Sequence, residues 1–232
     1  GNRTPMRVIV SIGGSVLAPD LEADRVDAHA DIIDGLVDDG HEVAAVVGGG
    51  GVARQYIRTA RELGATEYDL DALGIDVTRL NARLLITALG SSATPEPAES
   101  HEAARASLRR GEVAVMGGTI PGHTTDAVAA LLAEMAGADL LVYATSVPGV
   151  FSADPNVDSE AERFDELTAS ELVDVISSIE TAAGSNAPVD LLAAKIIERS
   201  GLRAVVLDGS EPSRIADAVA GDARGTEVHP NE

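Results

Sequence analysis

The sequence contains no cysteine, no tryptophan and only one lysine, and each absence excludes a class of protein. Without cysteine the chain can form neither disulfides nor thiolate metal sites. Two phenylalanines and three tyrosines are too few for platforms that stack nucleic-acid bases. No run approaches the roughly 18 to 20 apolar residues of a membrane-spanning helix, and no leader-like segment precedes the first predicted strand. We therefore expect a cytoplasmic protein that binds neither nucleic acid nor a membrane.

Basic residues are scarce as well, since 38 acidic residues face 17 basic ones and the net charge is −21. Such a surface repels polyanions, so any substrate phosphate must be bound by local devices. The acidic residues are spread along the whole chain, and the basic residues other than Lys195 are all arginine. This pattern predicts a surface adapted to molar salt, where screening limits repulsion to about 3 Å. An ordinary acidic protein from a low-salt organism is the alternative.

Apolar runs of strand length alternate with longer amphipathic patterns, which predicts an α/β fold with a mostly parallel sheet covered by helices. Gly1 to Pro5 are interpreted as a cloning remnant, and Ser91–Ser100 and Val147–Arg163 as loops. The predicted strands are Arg7–Ser11, Glu42–Val47, Val113–Met116, Leu140–Thr145, Ala204–Leu207 and Thr226–His229. The predicted helices are Asp24–Asp38, Val52–Leu63, Asp76–Leu89, Thr125–Met135, Ala169–Ser177, Val189–Arg199 and Pro212–Val219.

Two glycine-rich turns follow the first two predicted strands. In the first, Gly13, Gly14 and Ser15 connect a strand to a helix, and either a bare turn or a phosphate-binding turn would explain them. In the second, Gly48–Gly51 precede Arg54 at the start of a helix. Four glycines are costly to order, and a helix N-terminus favours anions. The second turn therefore predicts a phosphate site.

A third loop, Gly117–Asp126, also lies between a strand and a helix. Thr124 or Thr125 can cap that helix, and the loop offers hydroxyl and amide groups to a polar ligand. Asp126 either complements the helix dipole or acts at reacting phosphates. His123 is interpreted as a positional residue, because phosphoryl transfer needs little proton chemistry.

A predicted helix near the C-terminus carries Asp190 and Lys195. A lysine on an amphipathic helix is ordinarily a solvated surface residue, but the only ammonium group of the chain could also serve as a point charge on a transferring phosphoryl group. Asp190 could be a helix-terminal acid, or could orient Lys195 and organise Mg²⁺ through water. No string fits the Walker P-loop or the Rossmann fingerprint, so an ATP site here must be of another kind.

Together these segments resemble the amino acid kinase superfamily, and within it the archaeal UMP kinases, from Met6 to the C-terminus. The resemblance is carried by four strings in order: Val47–Arg54, Val115–Glu134, Ser152–Pro155 and Leu192–Ile197. It implies a three-layer α/β/α sandwich over residues 6–232, with an acceptor-binding half to about residue 140 and an ATP-binding half beyond it. It also implies transfer of the γ-phosphoryl group of ATP to UMP, with Mg²⁺ held mainly by the nucleotide phosphates rather than by protein ligands.

The resemblance also assigns residues to roles. Lys195, Asp126, Asp190 and Arg54 would be catalytic. The ATP site would comprise Gly14, Ser15, Gly50, Arg54, Thr145, Ser146, Phe151 and Asp154. The UMP site would comprise Gly49, Asp71, Thr119, Ile120, Pro121, Gly122, His123, Thr124 and Thr125.

The chain departs from the family at two places. Ser11 stands where most superfamily members have lysine, as is common in archaeal UMP kinases. Ser146–Phe151 stands where the family has an Asn-Val-Asp-Gly-Val-Tyr-like string, which leaves the donor preference open. A sister enzyme such as isopentenyl phosphate kinase would have a histidine just after the glycine loop, where this chain has Val52, Ala53 and Arg54. A non-catalytic nucleotide or oxyanion binder is the other alternative. Family members imply a homo-oligomer, usually a hexamer.

Overall fold

The computed structural model describes residues 4–232, and their centre is one seven-stranded sheet in the order β3-β2-β1-β4-β6-β7-β5. Neighbouring strands run parallel except β6 and β7, which are antiparallel. The strands are β1 Arg7–Ile12, β2 Glu42–Val47, β3 Ala114–Met116, β4 Leu140–Thr145, β5 Glu166–Thr168, β6 Ala204–Asp208 and β7 Gly225–His229.

Helices cover both faces of this sheet, which confirms the predicted three-layer α/β/α sandwich. Helices α1, α2, α4 and α9 pack on one face, and α5, α6, α7 and α8 on the other, while α3 packs against α4. The helices are α1 Gly14–Leu17, α2 Ala23–Asp38, α3 Gly50–Glu62, α4 Glu67–Leu89, α5 His101–Arg109, α6 Thr125–Ala136, α7 Ala169–Thr181, α8 Leu191–Ser200 and α9 Ser213–Val219.

The central strands are apolar on both faces because each face is buried under helices. Val8, Val10 and Ile12 of β1 enter the core on one side of the sheet, and Ile9 enters the core on the other. This alternation follows from the two-residue period of a strand. The strands are therefore fixed in register, and their ends lie level: Ile12 is opposite Val47 on one side and Ala144 on the other.

The loops that follow β1 and β4 leave the sheet in different directions. From β1 the chain goes to β2 on one side, whereas β4 lies on the other side of β1 and continues toward β6. Ligands of open α/β sheets bind in the crevice that such a reversal leaves at the carboxyl ends of the strands. Both glycine turns of the sequence lie at this edge.

Several elements differ from the sequence predictions, among them α1, which was not predicted, and α7, which extends to Thr181 rather than Ser177. Helix α5, His101–Arg109, was not predicted, although Ser100 caps it by accepting the N–H of Ala103 at 3.1 Å. Helix α4 begins at Glu67, nine residues before the predicted start, because Thr66 and Asp69 form a capping box. Strand β5 was missed as well, since three residues carry too little periodicity to detect.

The expected cloning remnant at residues 1–5 lies largely outside the described residues. Within residues 4–232, no helix is both long and apolar enough to span a bilayer. The division of the chain near residue 140 stays a prediction.

Candidate active site

Three cavities adjoin one another along the carboxyl edge of the sheet, and we call them together the trough. The first cavity, about 380 Å³, lies between α3, α4 and the loop before α6. The central cavity, about 240 Å³, lies over the ends of β1 and β4. The third cavity, about 220 Å³, lies beyond β4. Gly49, Gly50, Arg54 and Thr125 border both the first and central cavities, and Thr145, Ser146 and Pro188 border both the central and third.

The floor of the central cavity is made by two glycine turns in direct backbone contact. A Cβ atom on Gly14 would lie 2.5 Å from the carbonyl carbon of Gly49 and 2.6 Å from the Gly50 nitrogen. Gly50 has φ +62°, and its Cβ would lie 2.4 Å from the Ser15 nitrogen. Only glycine fits at these two positions, since any side chain would force the backbones apart. We call this close contact of the two turns the glycine interlock. It leaves peptide N–H groups on the floor of the cavity, where side chains would otherwise lie.

A basic side chain stands where the first and central cavities meet. Arg54, on the first turns of α3, is exposed, and its guanidinium donates to the Ser15 hydroxyl at 3.1 Å. The first N–H groups of α3 have no partners within their own helix, so they carry partial positive charge. Arg54 and the start of α3 thus provide the local positive potential that the acidic surface lacks.

Two further helix N-termini, those of α6 and α8, meet beside the central cavity. Thr124 caps α6 by accepting the Ala127 N–H at 3.1 Å, and Asp190 caps α8 by accepting the Ala193 N–H at 2.8 Å. The Thr124 hydroxyl also donates to the Asp190 carboxylate. The Asp190 N–H donates to the carboxylate of Asp126 at 3.2 Å. These bonds join the two helix starts into one polar cluster.

The half-buried Asp126 carboxyl is the most perturbed acid of this cluster. Loss of hydration raises its pKa to about 7, and the nearby charge of Asp190 contributes further. The Tyr143 hydroxyl lies below it and donates to the Asp126 carbonyl at 2.8 Å. Burial also raises the pKa of Tyr143, so the phenol stays a neutral donor. The ionisation of Asp126 should therefore change when a cation or a phosphate enters the central cavity.

The donor atoms of this cluster fit a hard cation such as Mg²⁺. The carboxylates of Asp126 and Asp190 supply oxygen atoms, which Mg²⁺ prefers, directly or through water. A cation there would also relieve the carboxylate repulsion that raises the pKa of Asp126. A different set of potential metal ligands, Glu166, Glu227 and His229, lies on β5 and β7 and outside the trough.

Most of the residues predicted for a UMP site border the first cavity. The loop before α6 is held there by a bond from the Gly122 N–H to the Asp71 carboxylate at 2.9 Å. Thr119 and Pro121 belong to the same loop but do not border the cavity. The predicted residues that do border it are Gly49, Asp71, Ile120, Gly122, His123, Thr124 and Thr125.

The residues predicted for an ATP site all border the central or the third cavity. Asp154, however, is buried, and both of its oxygens are engaged by backbone N–H groups, from Asn186 at 2.7 Å and from Asn156 at 2.9 Å. These bonds lower its pKa. These bonds hold Asp154 in place, so it helps to fix the shape of the third cavity.

Lys195 borders none of the three cavities. It lies on the exposed side of α8 with Leu192 and Arg199, while Ala193, Ala194, Ile196 and Ile197 face the core. Lys195 thus lies on the solvent side of α8, about one turn after the helix begins. The proposed point charge is not brought to the trough.

Sequence reasoning missed three polar residues that support the trough. Tyr143 lies under Asp126, and Thr78 and Asn81 project from α4 toward the loops after β2 and β3. The signal for the last two was present, since Thr78 and Asn81 share a helical face with the apolar Ala82 and Leu85.

Comparison with known proteins places the whole chain in one family. Residues 6–208 match the amino acid kinase family. The uridylate kinase of Natronomonas pharaonis is 84% identical over 98% of this chain and 100% of its own length. That of Halobacterium salinarum is 68% identical over 97% of this chain and 94% of its own length.

A solved structure agrees with both the fold and the family. The crystal structure of uridylate kinase from Archaeoglobus fulgidus is 47% identical, covers 96% of this chain and 100% of its own, and superposes with a TM-score of 0.85. Both of these relatives come from halophilic archaea, which agrees with the halophilic origin predicted from the sequence. The fold, the family match and these identities show that the chain belongs to the amino acid kinase family.

Proposed function

We propose that this protein phosphorylates UMP to UDP with ATP. The observation that carries the proposal is the trough, in which a glycine-lined central cavity joins two further binding spaces. A UMP phosphate oxygen forms the new bond to the γ-phosphorus, the bond from that phosphorus to the β–γ bridging oxygen breaks, and ADP leaves. The names of the relatives, uridylate kinases at up to 84% identity, support the same substrate.

UMP is assigned to the first cavity. Its phosphate would lie at Gly49, where the first and central cavities meet, and the loop Thr119–Thr125 would enclose the nucleoside. Asp71 would serve the ribose, and it also stabilises the loop through Gly122. Ile57 and Ile75 form an apolar wall against which a base can pack.

ATP is assigned to the central and third cavities. Its phosphates would be bound by the N–H groups of Gly14, Ser15 and Gly50 and by Arg54, and its adenosine would lie near Thr145, Ser146 and Phe151. Such fixed donors stabilise charge on a transferring phosphoryl group without reorganising. Mg²⁺ would be held mainly by the phosphates, near Asp126 and Asp190, and when bound it neutralises their charge. Lys195 has no part in this proposal because it borders none of the three cavities.

Self-association and a cytoplasmic location also stay predictions. Exposed apolar side chains on α3 and α4 and at their junction support the association. Tyr56 is 56% exposed, Leu63 83% and Tyr68 68%. Light scattering in molar salt tests the expected hexamer.

The direct test is an ADP-release assay in about 2 M KCl, where surface charges are screened beyond roughly 3 Å. Mg²⁺ and ATP are supplied with UMP, CMP, dUMP or isopentenyl phosphate as acceptor. We expect turnover with UMP and its deoxy form only. Turnover with isopentenyl phosphate instead would identify the sister kinase, and UMP binding without any turnover would identify a binding protein.

A further inference from the structure

The buried face of α4 carries two polar side chains, Thr78 and Asn81, which are 6% and 4% exposed. A buried polar group is costly unless it is hydrogen-bonded, so its partners indicate its purpose. The two residues are three positions apart and therefore project from the same side of the helix. Both are directed at the loops that border the first cavity.

Asn81 uses its amide nitrogen to bind the glycine loop after β2. Its Nδ2 donates to the Gly48 carbonyl at 2.9 Å and to the Gly49 carbonyl at 3.2 Å. Both protons of the amide are thereby used. The contact spans more than thirty residues of sequence, so it fixes the loop against a rigid helix rather than against itself.

The orientation of these carbonyls determines the orientation of the next N–H groups. In a planar trans peptide the C=O and the following N–H point in opposite directions. With the Gly48 and Gly49 carbonyls turned toward Asn81, the N–H groups of Gly49 and Gly50 are turned away from α4, toward the trough. Within residues 4–232, the Gly49 N–H has no protein acceptor. It is available to an anion.

Thr78 holds the neighbouring loop after β3 in the same manner. Its hydroxyl accepts the Gly118 N–H at 2.8 Å and donates to the Ile75 carbonyl at 2.6 Å. A Cβ on Gly117 would lie only 2.5 Å from this hydroxyl, so the loop is pressed against it. One helix face thus positions both loops on the acceptor side.

We propose that Asn81 is a positioning residue for phosphate binding, because it orients the Gly49 and Gly50 N–H groups toward the phosphates. Thr78, in contrast, positions only the loop after β3, which borders the first cavity. The inference rests on the proposed phosphoryl transfer for its kinetic part. Neither side chain has to touch a substrate.

The test compares wild type with Asn81→Asp, which keeps the shape of the side chain but replaces the donor with an oxygen that repels both carbonyls. We expect kcat/KM to fall about 10²-fold, as when a fixed oxyanion donor is lost. Calorimetry should show pyrophosphate binding at least about tenfold weaker and uridine binding unchanged, because uridine has no phosphate. A loss confined to global stability would leave both affinities unaltered.

Thr78→Val provides the second variant. It removes one hydroxyl at constant shape and should raise KM for UMP about tenfold while leaving KM for ATP unchanged. Thr94→Val is the matched control, since the Thr94 hydroxyl is equally buried but has no hydrogen-bond partner within residues 4–232. It should alter neither KM.

The outcomes separate this inference from the proposed function. If wild type turns over none of the acceptors, the proposed function fails, and pyrophosphate binding still decides the role of Asn81. Equal pyrophosphate affinity in wild type and folded Asn81→Asp, or no pyrophosphate binding by wild type, overturns the inference. If Asn81→Asp does not fold, Asn81→Ala takes its place in the same comparison. It should again bind pyrophosphate more weakly than wild type and bind uridine equally well.

Discussion

On the β2 and β3 side of the trough, the loops are held by side chains of one helix, α4, whereas beyond β4 they are held by local bonds and by strand β7. Asn81 binds Gly48 from 33 residues away, and Asp71 binds Gly122 from 51. Beyond β4, the Thr145 hydroxyl bonds to the backbone of Val147 only two residues on.

The two sides therefore differ in how freely the sequences of their loops can vary. A loop fixed by a rigid helix presents its N–H groups in one orientation, which suits a site that must hold phosphates in line. A loop fixed by local bonds can change its sequence without disturbing the rest of the molecule. The segment Ser146–Phe151, which departs from the family string, has both kinds of support. The bonds between Thr145 and Val147 are local, whereas the Val150 N–H donates to the Thr226 hydroxyl at 2.9 Å, 76 residues away. The bond from Asn186 to Asp154, 32 residues apart, is also long-range.

The largest effect is expected at the glycine interlock. In Gly14→Ala the new methyl group would meet the Gly49 backbone at 2.5 Å, and backbone cannot yield as a side chain can. We expect turnover to fall about 10³-fold, because the amides proposed to bind phosphate in both loops would move together. Steady-state kinetics at saturating substrates measures it.

Gly13→Ala is the matched control for this variant. A Cβ at Gly13 has no heavy-atom neighbour nearer than 3.7 Å, which is an ordinary contact. It should retain turnover within a few-fold of wild type. Equal losses in the two variants would contradict the interlock as the reason.

Asp126→Asn tests the cluster at the centre of the comparison. The amide keeps the size of the side chain but removes a charge near the proposed sites of the phosphates and Mg²⁺, so we expect about a 10²-fold loss of kcat. Binding of uridine should be unchanged. A loss of uridine affinity equal to the loss of kcat would instead indicate a displaced loop.

The same variant predicts a pH-dependent difference in stability. The pKa of Asp126 is raised from 3.8 to about 7, so its ionisation costs folding free energy progressively between those values and fully above pH 7. The advantage of the neutral Asn should therefore grow from pH 5 to pH 8. Thermal unfolding in molar salt with EDTA measures the difference, and a pH-independent difference would refute the raised pKa.

Phe151→Ala tests the side of the trough beyond β4. Loss of the half-buried ring from the third cavity should raise KM for ATP about tenfold, as expected for one lost stacking contact. KM for UMP should stay at the wild-type value, because the loops of the first cavity do not depend on this segment. An equal rise in both KM values would show that the two sides are coupled.

Lys195→Ala should have the smallest effect. The side chain is exposed and lies outside the trough, so kcat should stay within about twofold of wild type. A near-complete loss of turnover would restore the role that sequence analysis considered for the lone lysine.

Local patterns in the sequence predicted many of the strands and helices, and they also predicted the glycine turns that border the trough. Strand β2 and strand β4 have the predicted bounds, because uninterrupted apolar runs ending in turn residues have few other solutions. Helix α5 was missed because it follows a loop rich in Ser, Pro and Glu. The glycine turns were found because glycine is costly to order without a purpose.

By itself, the sequence determined the α/β class, the acidic surface and the resemblance to a kinase family, since these depend on composition, period and contiguous strings. Only the tertiary structure decided that Asp126 and Asp190 share one cluster, that Asn81 turns the glycine loop, and that Lys195 faces outward. Each of these depends on the rotation of a helix or on residues far apart in the chain. Such relations are set by packing in three dimensions, which no local pattern encodes.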